Sequence, residues 1–366
     1  MPEARLFNHA LLAALRSGDV QLDRGMRGPG PELALLGEAG LLTAPLPVAD
    51  GGRGWGTDAR QALAMLEGLG ALGGASLPVA RIYEGHVNAI RLVVRQGSAS
   101  QRSQVAGAVR KGAIMGVWGA DSAQPVQIEH PATGAVLRGV KAFASGLGDV
   151  TLAVVTAKTD RGLQMLLIDA TDSARFDQSR WDMDAMVGSR SGYFDCSGLA
   201  ADQARWLGPV DALFEEPDFH GGIWRLAACY SGAMLRIAHD LALLIDQRGL
   251  GDDAVMRHRL GLAVLEAQGS ALWAQQACLA AETGTDHDAV LSTVLFAREA
   301  VEMAAHRQIG LAERIGGTSL HQRGSALGRT IRDLRLYLRQ AQLDGKLSLA
   351  TACWRSANEA ANEDAT

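Results

Sequence analysis

The sequence has little cysteine, no long apolar run and no surplus of positive charge. Among its 366 residues the only cysteines are Cys196, Cys229, Cys278 and Cys353, scattered, with no CxxC and no histidine at metal-ligand spacing. That excludes a disulfide-stapled scaffold and a zinc module, and it predicts unbridged, mostly buried thiols in a reducing cytoplasm. Lys and Arg number 35 against 40 Asp and Glu, a formal charge of −5, and no Lys/Arg run occurs. Neither supports a nucleic-acid partner. No stretch of about 18 uninterrupted apolar residues exists, so no membrane span is expected. The first fifteen residues include Glu3, Arg5 and His9 and do not read as a signal peptide.

What is present is an ordinary globular composition, 48% hydrophobic and 20% charged. The length suits two or three domains at roughly 100–200 residues each. Residues 1–111 read as helical: Leu11, Leu12 and Leu15 share a face, and helical periodicity returns at 58–72, 82–96 and 101–110. Between them, two prolines and four glycines in residues 45–56 predict a loop. Gly97-Ser-Ala-Ser reads as a helix stop followed by a new N-cap. From 112 to 213 the runs 114–118, 135–140, 151–156 and 163–168 are short, apolar and β-branched. No helix-length connection separates them, which predicts an antiparallel barrel or sandwich. From 214 to 355 the long amphipathic segments 223–247, 254–283, 288–315 and 325–350 predict a four-helix bundle, with 356–366 as a polar tail.

Several local patterns, in order, resemble the acyl-CoA dehydrogenase family. They are Gly40-Leu-Leu-Thr-Ala-Pro-Leu-Pro with Gly51-Gly-Arg-Gly, His86 with Gly97-Ser and Gln101-Arg102, the run Gly139-Val-Lys-Ala-Phe-Ala-Ser-Gly146, then Gly316-Gly317 and Arg332-Asp333. The resemblance spans about residues 30–350. It implies an N-terminal helical domain, a middle β-barrel and a C-terminal four-helix bundle. It also implies FAD held between the barrel and the bundle, an acyl thioester substrate, an electron-acceptor flavoprotein, and a homodimer or homotetramer.

Residue by residue, the resemblance places Phe143 and Ser145 where the family has Trp and Thr against the flavin ring. An aromatic face can pack on isoalloxazine and a hydroxyl can bond its N5; without the family, the same residues read as a buried strand Phe and a turn Ser. Trp118, in the eroded loop Val117 to Ser122, reads as a pocket wall or as a core residue. Arg248, before Gly249-Leu-Gly251, resembles an arginine that meets the FAD pyrophosphate, for which a guanidinium fork is suited; the alternative is a solvated helix-end Arg. Glu313, Gly316 and Gly317 match a segment along the adenosine diphosphate. The glycines permit close approach to phosphate, while Glu313 brings a negative charge that Arg314 could offset. Arg332-Asp333 reads as structural. Arg225, Arg236 and Arg257 carry no specific signal.

The family's proton-abstracting glutamate is missing. Its two known positions fall on Ala341 and Gly222. Losing such a base would typically cost on the order of 10²–10⁴ in rate. Asp344, Glu215, Glu216 and His220 are the nearest substitutes in sequence, each more readily read as a surface or capping residue. Three functions follow: an acyl-CoA dehydrogenase-like oxidoreductase, a flavin monooxygenase of the same fold, which needs no α-proton base, or a non-catalytic subunit of a hetero-oligomer. The monooxygenase branch commonly has a His near the end of its last helix, and 337–350 contains none.

Overall fold

The computed structural model describes residues 7–130, 132, 134–179, 181–216, 218–339 and 343–363. Five helices come first: α1 (His9–Asp23), α2 (Gly30–Glu38), α3 (Ala62–Ala75), α4 (Leu77–Gln96) and α5 (Ala99–Arg110). The strands are β1 (Ile114–Trp118), β2 (Gln127–Glu129), β3 (Val136–Arg138), β4 (Val140–Lys141), β5 (Val150–Lys158), β6 (Leu163–Asp169), β7 (Phe176–Asp177), β8 (Tyr193–Asp195) and β9 (Trp206–Leu207). The last helices are α6 (Asp218–Gly221), α7 (Ile223–Gln247), α8 (Ala254–Thr283), α9 (His287–Gly316), α10 (Ala326–Tyr337) and α11 (Leu343–Glu363). The expected order of helices, strands and helices is therefore present. The helix expected over 325–350 is instead two, α10 and α11, and Ala341 between them lies outside the described residues.

The chain divides into two compact units. The first, residues 24–61 and 81–215, carries every strand. Its core joins Ala89, Ile90 and Val93 of α4 and Val105 and Val109 of α5 to Met115, Val154, Met165 and Leu167 of the sheet. Ser98 is the N-cap of α5, which begins at Ala99, two residues before the expected start. Its Oγ accepts from the Gln101 N–H at 3.2 Å, the Gln101 Oε1 accepts from the Ser98 N–H at 2.8 Å, and together they make a capping box.

Where a barrel or sandwich was expected, residues 112–213 form two sheets, and among the described residues no closed sheet is seen. One has six strands, in the order β3-β2-β5-β6-β9 with β1 also on β5; the other has three, β4-β8-β7. β1 runs parallel to β5, against the antiparallel expectation. A parallel pair needs a long crossover, usually a helix, and here the excursion through β2, β3 and β4 supplies it. Gly139 divides the sheets. Its φ is +122°, and a Cβ there would sit 2.4 Å from the Pro125 carbonyl oxygen, so only glycine lets the chain leave β3 and enter β4 in the other sheet.

The second unit, residues 7–23, 62–80 and from 216 on, is helical. α7, α8 and α9 pack on one another, α11 packs on α9, and α3 lies against α7 and α8. Buried Asp19 of α1 takes hydrogen bonds from Arg329 Nε at 2.7 Å and Ser76 Oγ at 2.8 Å. Arg332 donates to Asp23 at 3.0 and 3.1 Å, a structural role for the first member of the Arg332-Asp333 pair. The stretch Asp218–Gln247 is long and apolar enough by composition to cross a membrane, but 61% of that window is buried inside the protein, as suits a core helix.

Candidate functional site

The strand β4 runs directly into residues 142–148, and these are zipped to a second segment, 186–192. Ala144 and Gly192 exchange both backbone hydrogen bonds at 2.9 and 3.1 Å, Gly146 N–H donates to the Ser189 carbonyl at 2.8 Å, and Leu147 N–H donates to the Arg190 carbonyl at 3.1 Å. Backbone strain collects here. Of the four described non-glycine residues with positive φ, three are Phe143 (+54°), Met186 (+54°) and Arg190 (+43°). A left-handed conformation costs an L-residue roughly 1–2 kcal/mol, and such residues concentrate at functional sites.

Ser145 is half-buried, and its Oγ lies 3.0 Å from Ser191 Oγ, which lies 2.8 Å from Ser189 Oγ. Phe143 is 55% exposed, with its ring edge-on to Trp181 at 6.0 Å. It is neither a buried strand residue nor part of the core. Trp118 is 2% exposed and packs on Phe194 at 5.0 Å; its indole N–H donates to the Ser145 carbonyl at 3.1 Å. It fixes Ser145 from below.

The loop after Trp118 is tethered by Lys141, a residue the sequence reading missed. Lys141 is fully buried, and its ammonium donates to Asp121 Oδ1 at 2.7 Å, Thr156 Oγ1 at 2.8 Å and the Gly119 carbonyl at 3.3 Å, so all three protons have acceptors. Burial pushes its pKa down, and Asp121 pulls it partly back. A lysine that alternates inward in Gly-Val-Lys-Ala was the available signal.

Beside the serines lies a cavity of about 330 Å³, bounded by Arg27, Gln178, Trp181, Arg190 and Ser191 among others. Arg27 is committed to buried Glu32 through two bonds of 2.7 and 2.6 Å. The Trp181 indole nitrogen is out of solvent with no hydrogen-bond partner among the described residues, and so is Asp149 Oδ2. Burial raises the Asp149 pKa, opposed by the Arg190 charge. An orphaned indole N–H beside an exposed Phe fits a flat ligand with a carbonyl acceptor.

The other expected residues gather in the helical unit. Arg248 caps the end of α9, donating to the Ile315 carbonyl at 2.7 Å, the Gly316 carbonyl at 3.0 Å and Ser319 Oγ at 2.9 Å. Three of its five N–H donors are thus engaged. Gly317 has φ +61° and ψ −148°, a conformation essentially restricted to glycine. Glu313 is bonded by Arg335 Nη2 at 2.6 Å, so Arg335 rather than Arg314 offsets its charge.

Of the two base positions, Gly222 is the N-cap of α7 and has no side chain, and Ala341 lies outside the described residues. Glu215 accepts from Gln96 Nε2 at 2.8 Å, while Glu216 is hydrogen-bonded to His220. Asp344 sits in the first turn of α11. The sequence reading missed Glu302, 8% exposed on α9 and bonded by both Arg298 and Arg339. Between two guanidinium groups it serves as a counter-ion. Arg225 is buried and pairs with Glu282 at 3.6 Å, Arg236 pairs with Asp240 at 2.8 Å, and exposed Arg257 lies 3.5 Å from Asp252. None of the four cysteines is bridged and all are buried; burial pushes Cys196 up to about 12, which removes it as a thiolate nucleophile.

No protein-family model matches the sequence, and no curated protein is similar to it in sequence. Solved structures do match. Butyryl-CoA dehydrogenase of Megasphaera elsdenii superposes with a TM-score of 0.83 at 16% identity, over 95% of this chain and 96% of that one. TdsC of Paenibacillus sp. A11-2, bound to FMN and indole, gives 0.76 at 18% over 93% of both. KijD3 in complex with dTDP gives 0.76 at 19% over 94% and 93%. At these identities the likeness is one of fold, and the fold is that of the acyl-CoA dehydrogenases.

Proposed function

We propose that the protein is a flavin-dependent oxidoreductase that holds the flavin ring against the segment from Phe143 to Gly146. The observation that carries this reading is the strained junction of 142–148 with 186–192. There an exposed Phe143 stands edge-on to Trp181, whose indole N–H has no hydrogen-bond partner among the described residues, and half-buried Ser145 contacts Ser191, which with Trp181 lines a small cavity. The shared fold supports it, since TdsC and KijD3 have both been solved with FMN. A bound flavin would supply two-electron chemistry at its ring. FAD is the form expected here, and the mass of the extracted cofactor separates it from FMN.

Which reaction follows turns on the base. Oxidising an acyl thioester needs a carboxylate within hydrogen-bond reach of the α-carbon. Neither Gly222 nor Ala341 offers one, and Glu302 is held by two arginines. We therefore favour a reaction on a small molecule that needs no α-proton base, as in dibenzothiophene monooxygenase, the activity named for TdsC. The test is a pair of assays on the flavin-loaded protein. Saturated acyl-CoAs added without oxygen are expected to leave the flavin oxidised, whereas supplying reduced flavin in air should give substrate-dependent oxygen uptake. Bleaching by any acyl-CoA would restore the dehydrogenase reading. A preparation that takes up no flavin would defeat both.

A further inference from the structure

A second opening lies wholly inside the helical unit, bounded by α1, α3, α7 and α8, with a volume of about 660 Å³. Small residues create it. α3 and α7 cross with their backbones in contact: a Cβ on Gly232 would stand 1.9 Å from the Gly70 carbonyl oxygen, and one on Gly73 would stand 2.1 Å from the Cys229 carbonyl oxygen. Beside that crossing, Gly70, Ala71, Gly74 and Ala271 are too short to close the groove. Its walls are aliphatic, from Leu12 of α1, Leu66 of α3 and Leu235 of α7, with no Phe, Tyr or Trp among the lining residues.

Into this setting the sequence puts Arg16, one helical turn on from Leu12 and on the same face of α1. Its Nε is out of solvent with no acceptor, and among the described residues Arg16 has no ion pair. The other arginine of the groove, Arg236, has its own counter-ion: it donates to Asp240 through Nε at 2.9 Å, and its Nη2 lies 2.8 Å from the second carboxylate oxygen. Burial pushes the Arg16 pKa down, the Arg236 charge adds to that, and Asp240 offsets them in part. Glu67, the one acid lining the groove, is exposed, as are His9 and His239. The groove thus holds one positive charge without a counter-ion, partly withdrawn from water, where such a charge is unfavourable until an anion joins it. A mostly apolar pocket of this size with a single convergent charged group has the form of a small-molecule site.

We propose that this groove binds an organic monocarboxylate with an aliphatic chain, the carboxylate paired with Arg16 and the chain laid along Leu12, Leu66 and Leu235. One unmatched charge calls for a monoanion, and a guanidinium suits the two oxygens of a carboxylate. The aliphatic lining calls for a chain in place of a sugar or a bare ion. The site stands apart from the flavin reading, because none of its residues belongs to the unit that carries Phe143 to Gly146.

The experiment is calorimetric titration of the full-length protein with hexanoate, octanoate and decanoate below their micelle concentrations, with octanol and inorganic phosphate as comparisons. Saturable binding is expected for the carboxylates, tightening by up to about fourfold for each added methylene. Octanol and phosphate should each bind about tenfold more weakly than octanoate, since each lacks one half of the match. Arg16→Met keeps an apolar stem and removes the charge. It should bring octanoate down to the level of octanol and leave the urea midpoint of the free protein unchanged or raised, because the charge has no partner to lose. Ala71→Leu keeps Arg16 and fills the groove, so it should weaken octanoate and octanol alike. Absence of saturable carboxylate binding, an affinity indifferent to chain length, or phosphate binding as tightly as octanoate would overturn the proposal. So would undiminished octanoate binding by either variant, or an Arg16→Met protein as destabilised as one with a broken buried ion pair.

Discussion

Replacing Lys141 by methionine should destabilise the sheet-bearing unit by about 3 kcal/mol, the usual order for removing one member of a buried ion pair. The methionine fills the space but leaves Asp121 without its cation and the Gly119 carbonyl with one donor fewer. Thr156 still donates to Gly119 at 3.1 Å, so the loop after Trp118 loses its charge anchor while keeping a neutral bond. Urea unfolding measures the loss. Adding Asp121→Asn to Lys141→Met should recover part of it, because the stranded carboxylate is then gone. A single variant within about 0.5 kcal/mol of the parent, the range of ordinary surface changes, would show that the ammonium is incidental.

His86 gives the second large effect, through pH. It lies fully buried on α4, where its Nδ1 accepts from the Met115 N–H at 3.0 Å. That leaves the proton on Nε2, which donates to the Leu42 carbonyl at 2.8 Å. Burial pushes the pKa down from 6.5 to about 4, only partly opposed by the bond to Leu42. The unfolded imidazole therefore takes up a proton that the folded one refuses. Stability from this site is complete above pH 6.5 and is lost as the pH falls towards 4. The loss runs at about 1.4 kcal/mol per pH unit, or about 3 kcal/mol in all. His86→Gln keeps one donor and one acceptor without a titrating group. Its urea midpoint should fall less steeply between pH 6.5 and 4 than the parent's, and parallel profiles would refute the assignment.

Much of the fold was legible because it depends on local pattern. The limits of β1, α7 and α8 follow the apolar periods, and Gly97-Ser-Ala-Ser marks the break between α4 and α5. The sheet pairing was not legible. β1 and β5 look like two more short apolar runs, and nothing in either says that they lie side by side and parallel. The site divides the same way. Phe143 and Ser145 were expected from the resemblance, and the inward alternation of Lys141 was a signal left unread, whereas Ser189 and Ser191 carried none, because a serine in a strand-rich stretch is usually solvated.

The sequence by itself determined the order of helices and strands, the lack of a carboxylate at positions 222 and 341, and the glycines at 139 and 317 that bend the chain. These are matters of residue type and period, and they need no neighbour to define them. Only the tertiary structure decided that residues 142–148 meet 186–192, that the hydroxyls of Ser145, Ser191 and Ser189 lie in one chain of contacts, and that Lys141 is sealed inside with three acceptors. The reason is that hydrogen bonding and desolvation depend on what lies across the junction, which is brought there by pairing between β4 and β8, more than forty residues apart in the chain.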